Sequence, residues 1–323
     1  MGQAEWRGTS RGASAVAIDR GVHVSHHRLP IVGSETAPRG SRAVKFSVIT
    51  ACRNASSHLP ETIRSVVEQS ALKQGIAALE YFIVDGASTD ATAEVVSKYL
   101  CDDVTFLSEP DTGLYDALVK GFAKTTGDLV TYLNAGDILH EHAFRIASQI
   151  MSHEGVNWVC GYHLKINEEG EVIAISKPPR YRREFILNGT YLKGFPYAGI
   201  QQEGIFFRRK LLEHVDLEAL RRFRLGGDYF LWTQLAKSTE LHTVMSFLGA
   251  FRVHKGQLSE GLEAYRKEAM TCTRPERLRE KVTRYWEYHS PRSLKGVLWN
   301  FTLGQSAARI FWFDETRQQW LPR

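Results

Sequence analysis

The chain has 323 residues, of which 43% are hydrophobic, and its 41 Lys and Arg against 36 Asp and Glu give a net charge of +5. This composition excludes a mainly disordered chain and supplies either one large core or two small ones. The positive excess is small and dispersed and comes without a nucleic-acid-binding signature, so phosphate esters or an anionic membrane surface are expected partners and nucleic acid is not.

Residues 1–43 carry Arg7, Arg11, Arg20, Arg28, Arg39 and Arg42 among small polar residues. They lack the continuous apolar segment of a secretory signal and are expected to form a flexible leader. From Val44 onward, apolar strand patterns alternate with helical ones, which predicts an α/β fold with a mostly parallel sheet covered by helices on both faces. The predicted order is a strand at Lys45 to Thr50, a helix at Leu59 to Gln69, a strand at Tyr81 to Val84 and a helix at Asp90 to Leu100. A third strand at Val104 to Leu107 follows, then a helix from Gly113 to Thr125 and a fourth strand at Leu129 to Leu133. Pro60 suits the first helical turn, and Glu61 beside it complements the helix dipole. Leu114, Leu118 and Phe122 recur every four residues as a buried stripe.

Two strands run into acidic tips. YFIVDGASTD ends its strand on Asp85, and TYLNAGDI ends on Asn134 and Asp137. In open α/β sheets the ligand crevice lies beyond the carboxyl ends of the strands, so these residues are expected where a nucleotide, a metal or both would sit. Each acid has a competing reading as a plain cap of the turn or helix that follows.

The second half, 139–260, is expected to cover the nucleotide-binding half, 44–138. It begins with a helix around His140 to Ser152 and strand-like segments at Trp158 to Ile166 and Glu171 to Ser176. The loop NGTYLKGFPYAGIQQEG then leads to a strand at Ile205 to Phe207, and a loop of this length is often functional. RLGGDYFLWTQLAK reads as a helix with Asp228 at its amino end, and LGAFRVHKGQ as a short strand. Residues 261–323 form a basic, aromatic helical tail, in which Arg274, Arg277, Arg279, Lys281 and Arg284 accompany Tyr285, Trp286, Trp299, Phe311, Trp312 and Trp320. Such a tail suits a peripheral membrane contact, or it packs its aromatics on the main domain. Cys52, Cys101, Cys160 and Cys272 show neither CxxC pairing nor metal-ligand spacing and read as reduced thiols of a cytosolic protein. No apolar run reaches the roughly 20 residues that span a bilayer.

The ordered series SVITACRNASSHLPETIRSVVEQS, YFIVDGASTDAT, SEPDTGLYDALVKGFAKTTGDLVTYLNAGD and GGDYFLW resembles the family 2 glycosyltransferases, the inverting GT-A group, from about Lys45 to about Glu260. Within the family it looks most like bacterial exopolysaccharide enzymes of the colanic acid type. The resemblance implies transfer of a sugar from a nucleoside diphosphate donor, UDP or GDP, to a saccharide or lipid-linked saccharide. It also implies a divalent cation, Mg²⁺ or Mn²⁺, which prefers oxygen ligands and is held by one or two carboxylates plus phosphate oxygens. Asp137 is then the metal ligand and Asn134 a partner of the ribose or of metal-bound water. Asn134 and Gly136 stand where the common Asp-x-Asp-Asp form has other residues, so His254 becomes a candidate second ligand, against a purely structural histidine. Asp228, which opens the GGD helix, is the implied general base. Donor binding falls to Thr50, Arg53, Asn54, Asp85, Asp111, Asp116 and Lys120, and acceptor binding to Gln201, Gln202 and Glu203. A nucleotidyltransferase would want a glycine-rich phosphate loop after the first strand, and an NAD-dependent oxidoreductase a GxGxxG; ACRNASSHL has neither. A non-catalytic sugar-nucleotide binder stays open.

Overall fold

The computed structural model describes residues 42–194, 196–197, 199–257, 261–289 and 306–322. The expected leader therefore lies outside the described residues, apart from its last two, and so does Trp299. The first half contains β1 (Val44–Cys52), α1 (Leu59–Val67), α2 (Ser70–Lys73), β2 (Ala77–Asp85), α3 (Thr92–Ser97), β3 (Val104–Ser108), α4 (Leu114–Phe122) and β4 (Leu129–Asn134). It continues through β5 (Ile138–Leu139), α5 (Ala143–Met151), β6 (Trp158–Cys160), β7 (His163–Ile166), β8 (Val172–Ser176), α6 (Arg183–Leu187) and β9 (Phe206–Arg208). Then come α7 (Leu217–Leu220), α8 (Gly227–Ala236), β10 (His242–Val244), β11 (Gly249–Arg252), α9 (Leu262–Met270), α10 (Leu278–His289), β12 (Ile310–Asp314) and β13 (Gln319–Pro322).

The main sheet runs β13-β12-β10-β6-β9-β4-β1-β2-β3. β1 pairs in parallel with both β2 and β4, and β2 with β3, so the strand order reverses between β1 and β4. That reversal opens a crevice at their carboxyl ends. Alternate residues feed two cores, because successive side chains of a strand point to opposite faces. Ile49, Ala51, Val130, Tyr132 and Phe207 pack with Trp158 and Trp232 on one side. Phe46, Val48, Leu129, Leu133 and Phe206 pack with Phe144 and Ile63 on the other. α4 exceeds its expected stripe: Tyr115, Ala117, Leu118, Val119 and Phe122 are all buried, while Leu114 is only half-buried.

Three expectations are corrected. The segment Trp158 to Ile166 is not one strand: it breaks after Cys160, β6 staying in the main sheet while β7 enters a second sheet of order β5-β11-β7-β8. β10 has no counterpart in the expected elements. The tail contains the expected helices but then returns as the β12–β13 hairpin, which adds two strands to the main sheet through β10. Phe311 is fully buried there and Trp320 nearly so, which removes them from any membrane-facing surface. The tail's cations are paired in part, Arg284 with Glu276 and Arg274 with Glu280.

The two sheets are joined by Arg252 at the end of β11, a guanidinium only 2% exposed. It bonds Glu61 of α1, donates from Nε to the Gly136 carbonyl at 2.9 Å, and donates from one amino group to the carbonyls of Asn167 and Glu168 at 3.0 and 2.7 Å. Its backbone N–H donates to Asp137 Oδ1 at 3.0 Å. Thr62 completes the turn, accepting from Gly136 N at 2.9 Å and donating to the Asp137 carbonyl at 2.8 Å.

Two outcomes follow from these contacts. Phe311→Ala should destabilise the protein by about 3–5 kcal/mol, the usual result of emptying a fully buried aromatic site, as read by denaturant unfolding. Arg252→Met should destabilise it by about 3 kcal/mol in the same measurement, since three carbonyls and a carboxylate lose their buried partner.

Candidate functional site

The crevice has a volume of about 1050 Å³, at the upper end of small-molecule sites. One part of its wall comes from the end of β1 and the loop after it: Ala51, Cys52, Arg53 and Asn54. Asn54 adopts a left-handed backbone, φ 50°, held by Ser88 and Thr89: its N–H donates to Ser88 Oγ at 2.7 Å and its Oδ1 accepts from Thr89 N at 2.9 Å. Asp111 lines the same wall and caps the Gly113 N–H at 3.0 Å. Arg53 is exposed to the crevice.

Four expected donor contacts sit elsewhere. Thr50 is fully buried, its hydroxyl 2.8 Å from that of Tyr81, because its position on β1 points into the core beneath the crevice. Asp116 accepts from Thr112 N at 3.0 Å and lies 3.3 Å from Arg221, which makes it a helix-start brace. Lys120 bonds the Pro110 carbonyl at 2.9 Å and pairs with Glu109 at 2.9 Å. Asp85 lies behind the wall: its carboxylate is buried and takes bonds from Ser88 N–H and hydroxyl and from the Ser108 hydroxyl at 2.7 Å. Those donors hold the loop that in turn holds Asn54.

The floor is acidic. Asn134 ends β4, donating from Nδ2 to Gln202 Oε1 at 3.3 Å, while its Oδ1 is enclosed without a protein partner. Gln202 donates to the Tyr132 carbonyl, so this glutamine braces β4. Asp137 is 4% exposed and Glu203 6%, and their carboxyl groups share a hydrogen bond. Burial pushes both acids up, and for Glu203 the neighbouring Asp137 adds to it, so the pair holds a proton that isolated carboxyls would release. The backbone explains the meeting: a Cβ on Gly204 would stand 2.7 Å from Gly249 N, so the turn carrying Glu203 lies directly on β11, which carries Arg252 and grips Asp137. Glu203, expected to face the acceptor, is therefore a partner of the candidate metal ligand. Gln201 lines the crevice and donates to the Leu164 carbonyl at 3.2 Å. His254 lines it too, with its ring stacked on His58 at 5.6 Å and Nδ1 3.0 Å from the Lys255 carbonyl.

A divalent cation fits this floor. Two carboxyls share a proton that a cation would displace, and the enclosed Asn134 Oδ1 is an oxygen donor beside them. Among the described residues no group of three or more His, Cys, Asp or Glu could hold a metal ion alone. The remaining ligands would be donor phosphates and water, which is how Mg²⁺ is ordinarily bound.

Asp228 also lines the crevice, at the start of α8. Its Oδ1 accepts from Tyr229 N at 2.6 Å and its Oδ2 from the Tyr265 hydroxyl at 3.1 Å. Burial dominates over these bonds and pushes its carboxyl up to about 7. The two preceding glycines are contact residues: a Cβ on Gly226 would lie 2.7 Å from Ala269 N, and one on Gly227 would lie 2.7 Å from the Tyr115 ring. Sequence reading missed Tyr265, Glu268, Arg252 and His58. A lone charged residue inside the strand pattern of Arg252 was the one available signal.

The sequence model of glycosyl transferase family 2 matches residues 47–216, just over half of the chain. Glycosyltransferases of PGL/p-HBAD biosynthesis from Mycobacterium bovis and Mycobacterium tuberculosis are 29% identical over 192 residues, 58% of this chain and 68% of theirs. An uncharacterized glycosyltransferase of Nostoc is 24% identical over 217 residues, 65% of each chain. Among solved structures, residues 1–349 of S. aureus TarS in complex with UDP-GlcNAc match with a TM-score of 0.52 and 14% identity over 80% of each chain, a likeness of fold. With its reversed parallel sheet and polar crevice, the chain belongs to glycosyl transferase family 2 and has the GT-A fold.

Proposed function

We propose that this glycosyltransferase moves one sugar, with inversion, from a nucleoside diphosphate donor to a saccharide or lipid-linked saccharide in the assembly of a cell-surface polysaccharide. The observation that carries the reading is Asp228: a carboxyl raised to about 7 in the lining of the crevice that also holds the Asp137 and Glu203 pair. The acceptor hydroxyl gives its proton to Asp228 as its oxygen forms the bond to the anomeric carbon. The bond from that carbon to the diphosphate breaks on the opposite face, and the nucleoside diphosphate leaves with the electron pair.

Arg53, Asn54 and Asp111 are the proposed donor contacts, with Asp85 holding their loop and Asn134 beside the ribose. Asp137 and Glu203 are the proposed holders of Mg²⁺ or Mn²⁺, which when bound would offset the charge growing on the leaving diphosphate, and His254, which lines the same crevice, does not join them in a group of three. Gln201 faces the acceptor. A UDP sugar is the first donor to test, since TarS is solved with UDP and with UDP-GlcNAc. The proposed location is the cytoplasm. No helix among the described residues is long and apolar enough to cross a membrane, and a peripheral contact is left to the tail's exposed face.

Nucleoside diphosphate release in the presence of Mn²⁺ is the direct assay. Asp228→Asn should lower kcat by roughly 10²–10⁴-fold while donor binding, followed by calorimetry, stays within a few-fold; unchanged turnover would leave a sugar-nucleotide binder. In the wild type, kcat should rise roughly tenfold per pH unit below about 7 and level off above it, because the base must be ionised. Stability should move the other way. The folded carboxyl holds its proton above the unfolded value of about 3.9, so its contribution is present below that pH and is lost as pH rises towards about 7. The loss should be absent from Asp228→Asn in thermal unfolding across that range.

A further inference from the structure

α9, like Asp228 itself, lies beyond the segment that the family model matches, and it touches the loop of Asp228 at three levels. Tyr265 donates its hydroxyl to Asp228 Oδ2 at 3.1 Å. One turn on, the Glu268 carboxylate accepts the backbone N–H groups of Arg224 at 2.8 Å, Leu225 at 2.6 Å and Gly226 at 2.7 Å. Next to it, Ala269 packs so closely on Gly226 that no side chain fits between them. The N-cap residue of α8 is Gly226, which has no side chain to cap with, and Glu268 anchors from another helix the loop that leads into it.

We propose that α9 is the positioning element of the general base, with Tyr265 fixing the orientation of the Asp228 carboxylate and Glu268 fixing the loop that presents it. The inference rests on the reading of Asp228 as the base. With Oδ1 taken by Tyr229 N and Oδ2 by Tyr265, rotation of the carboxylate about its stem is arrested, and the lone pairs left over face the crevice, where an acceptor hydroxyl must be met within about 3 Å. Neither α9 residue would take the proton. The α9 contacts also act on the charge of Asp228 in opposite directions: the Tyr265 bond favours the ionised form, and the Glu268 charge disfavours it. The other titratable groups around Asp228 are Tyr115 of α4, Tyr132 of β4, Glu203 before β9, Tyr229 of α8 and Cys272 after α9, with Arg224 beside Glu268.

The test uses the full chain with Mn²⁺ and a turned-over donor, comparing Tyr265→Phe, Glu268→Gln and Asp228→Asn for kcat, donor KM, pH profile and thermal midpoint. Tyr265→Phe should lower kcat roughly 10–100-fold with donor KM within about twofold, and move the acid limb of the profile upward. Glu268→Gln should lower kcat and move that limb downward, because a neighbouring negative charge is gone. A Tyr265→Phe variant with unchanged kcat and limb overturns the proposal, as does a loss shared equally by kcat and donor affinity with a fallen midpoint, which marks a purely structural contact. Should Asp228→Asn itself keep more than a tenth of the turnover, the base assignment fails and the positioning role with it, whatever the α9 variants show.

Discussion

The buried guanidinium of Arg252 is the contact on which the geometry of the site rests. It spans α1, the turn after β4 and the β7–β8 hairpin, and the backbone of the same residue holds Asp137. A buried charge is tolerated only when its donors are satisfied, and here a carboxylate and three carbonyls satisfy them. The polar turn at the end of β4 is therefore held from both α1 and β11. Those bonds hold Asp137, and the contact of Gly204 with Gly249 brings Glu203 to the same place.

Three acids thus converge on one crevice, and their spacing decides their chemistry. Asp137 and Glu203 share a proton because two close carboxyls with little water cannot both ionise. Asp228, bonded by an amide and a phenol, is raised by its own burial to about 7. In the proposed reading the pair would take a cation and Asp228 would act as the base, two roles for one chemical group.

The same crevice shows how a small sheet and a terminal segment are drawn into the work of the parallel core. β11 and β7 supply walls that β1 to β4 lack, and α9 reaches back to the loop of Asp228. The β12–β13 hairpin seals the far edge of the main sheet, with Phe311 closing the core. Residues distant in sequence from the strand tips therefore set the shape in which those tips act.

Much of the first half was legible in the sequence. The period of β1 to β4, the Pro60 start of α1 and the strand-end acids all follow from local patterns, because strands buried on both faces read as apolar runs and their tips as polar breaks. The positions of Asn134, Asp137 and Asp228 on the crevice follow for that reason. The placement of Thr50, Asp116 and Lys120 off the crevice lining was not legible, since a side chain one position along a strand or one turn along a helix changes face, and the motif carries no record of which face the crevice takes. The sequence by itself determined the layered α/β fold, the polar strand ends and the acid that opens α8. Only the tertiary structure decided that Glu203 joins Asp137, that Arg252 locks their turn and that Tyr265 reaches Asp228, because each of these contacts joins segments between 37 and 191 residues apart or rests on the approach of two backbones. Local patterning does not encode such distances.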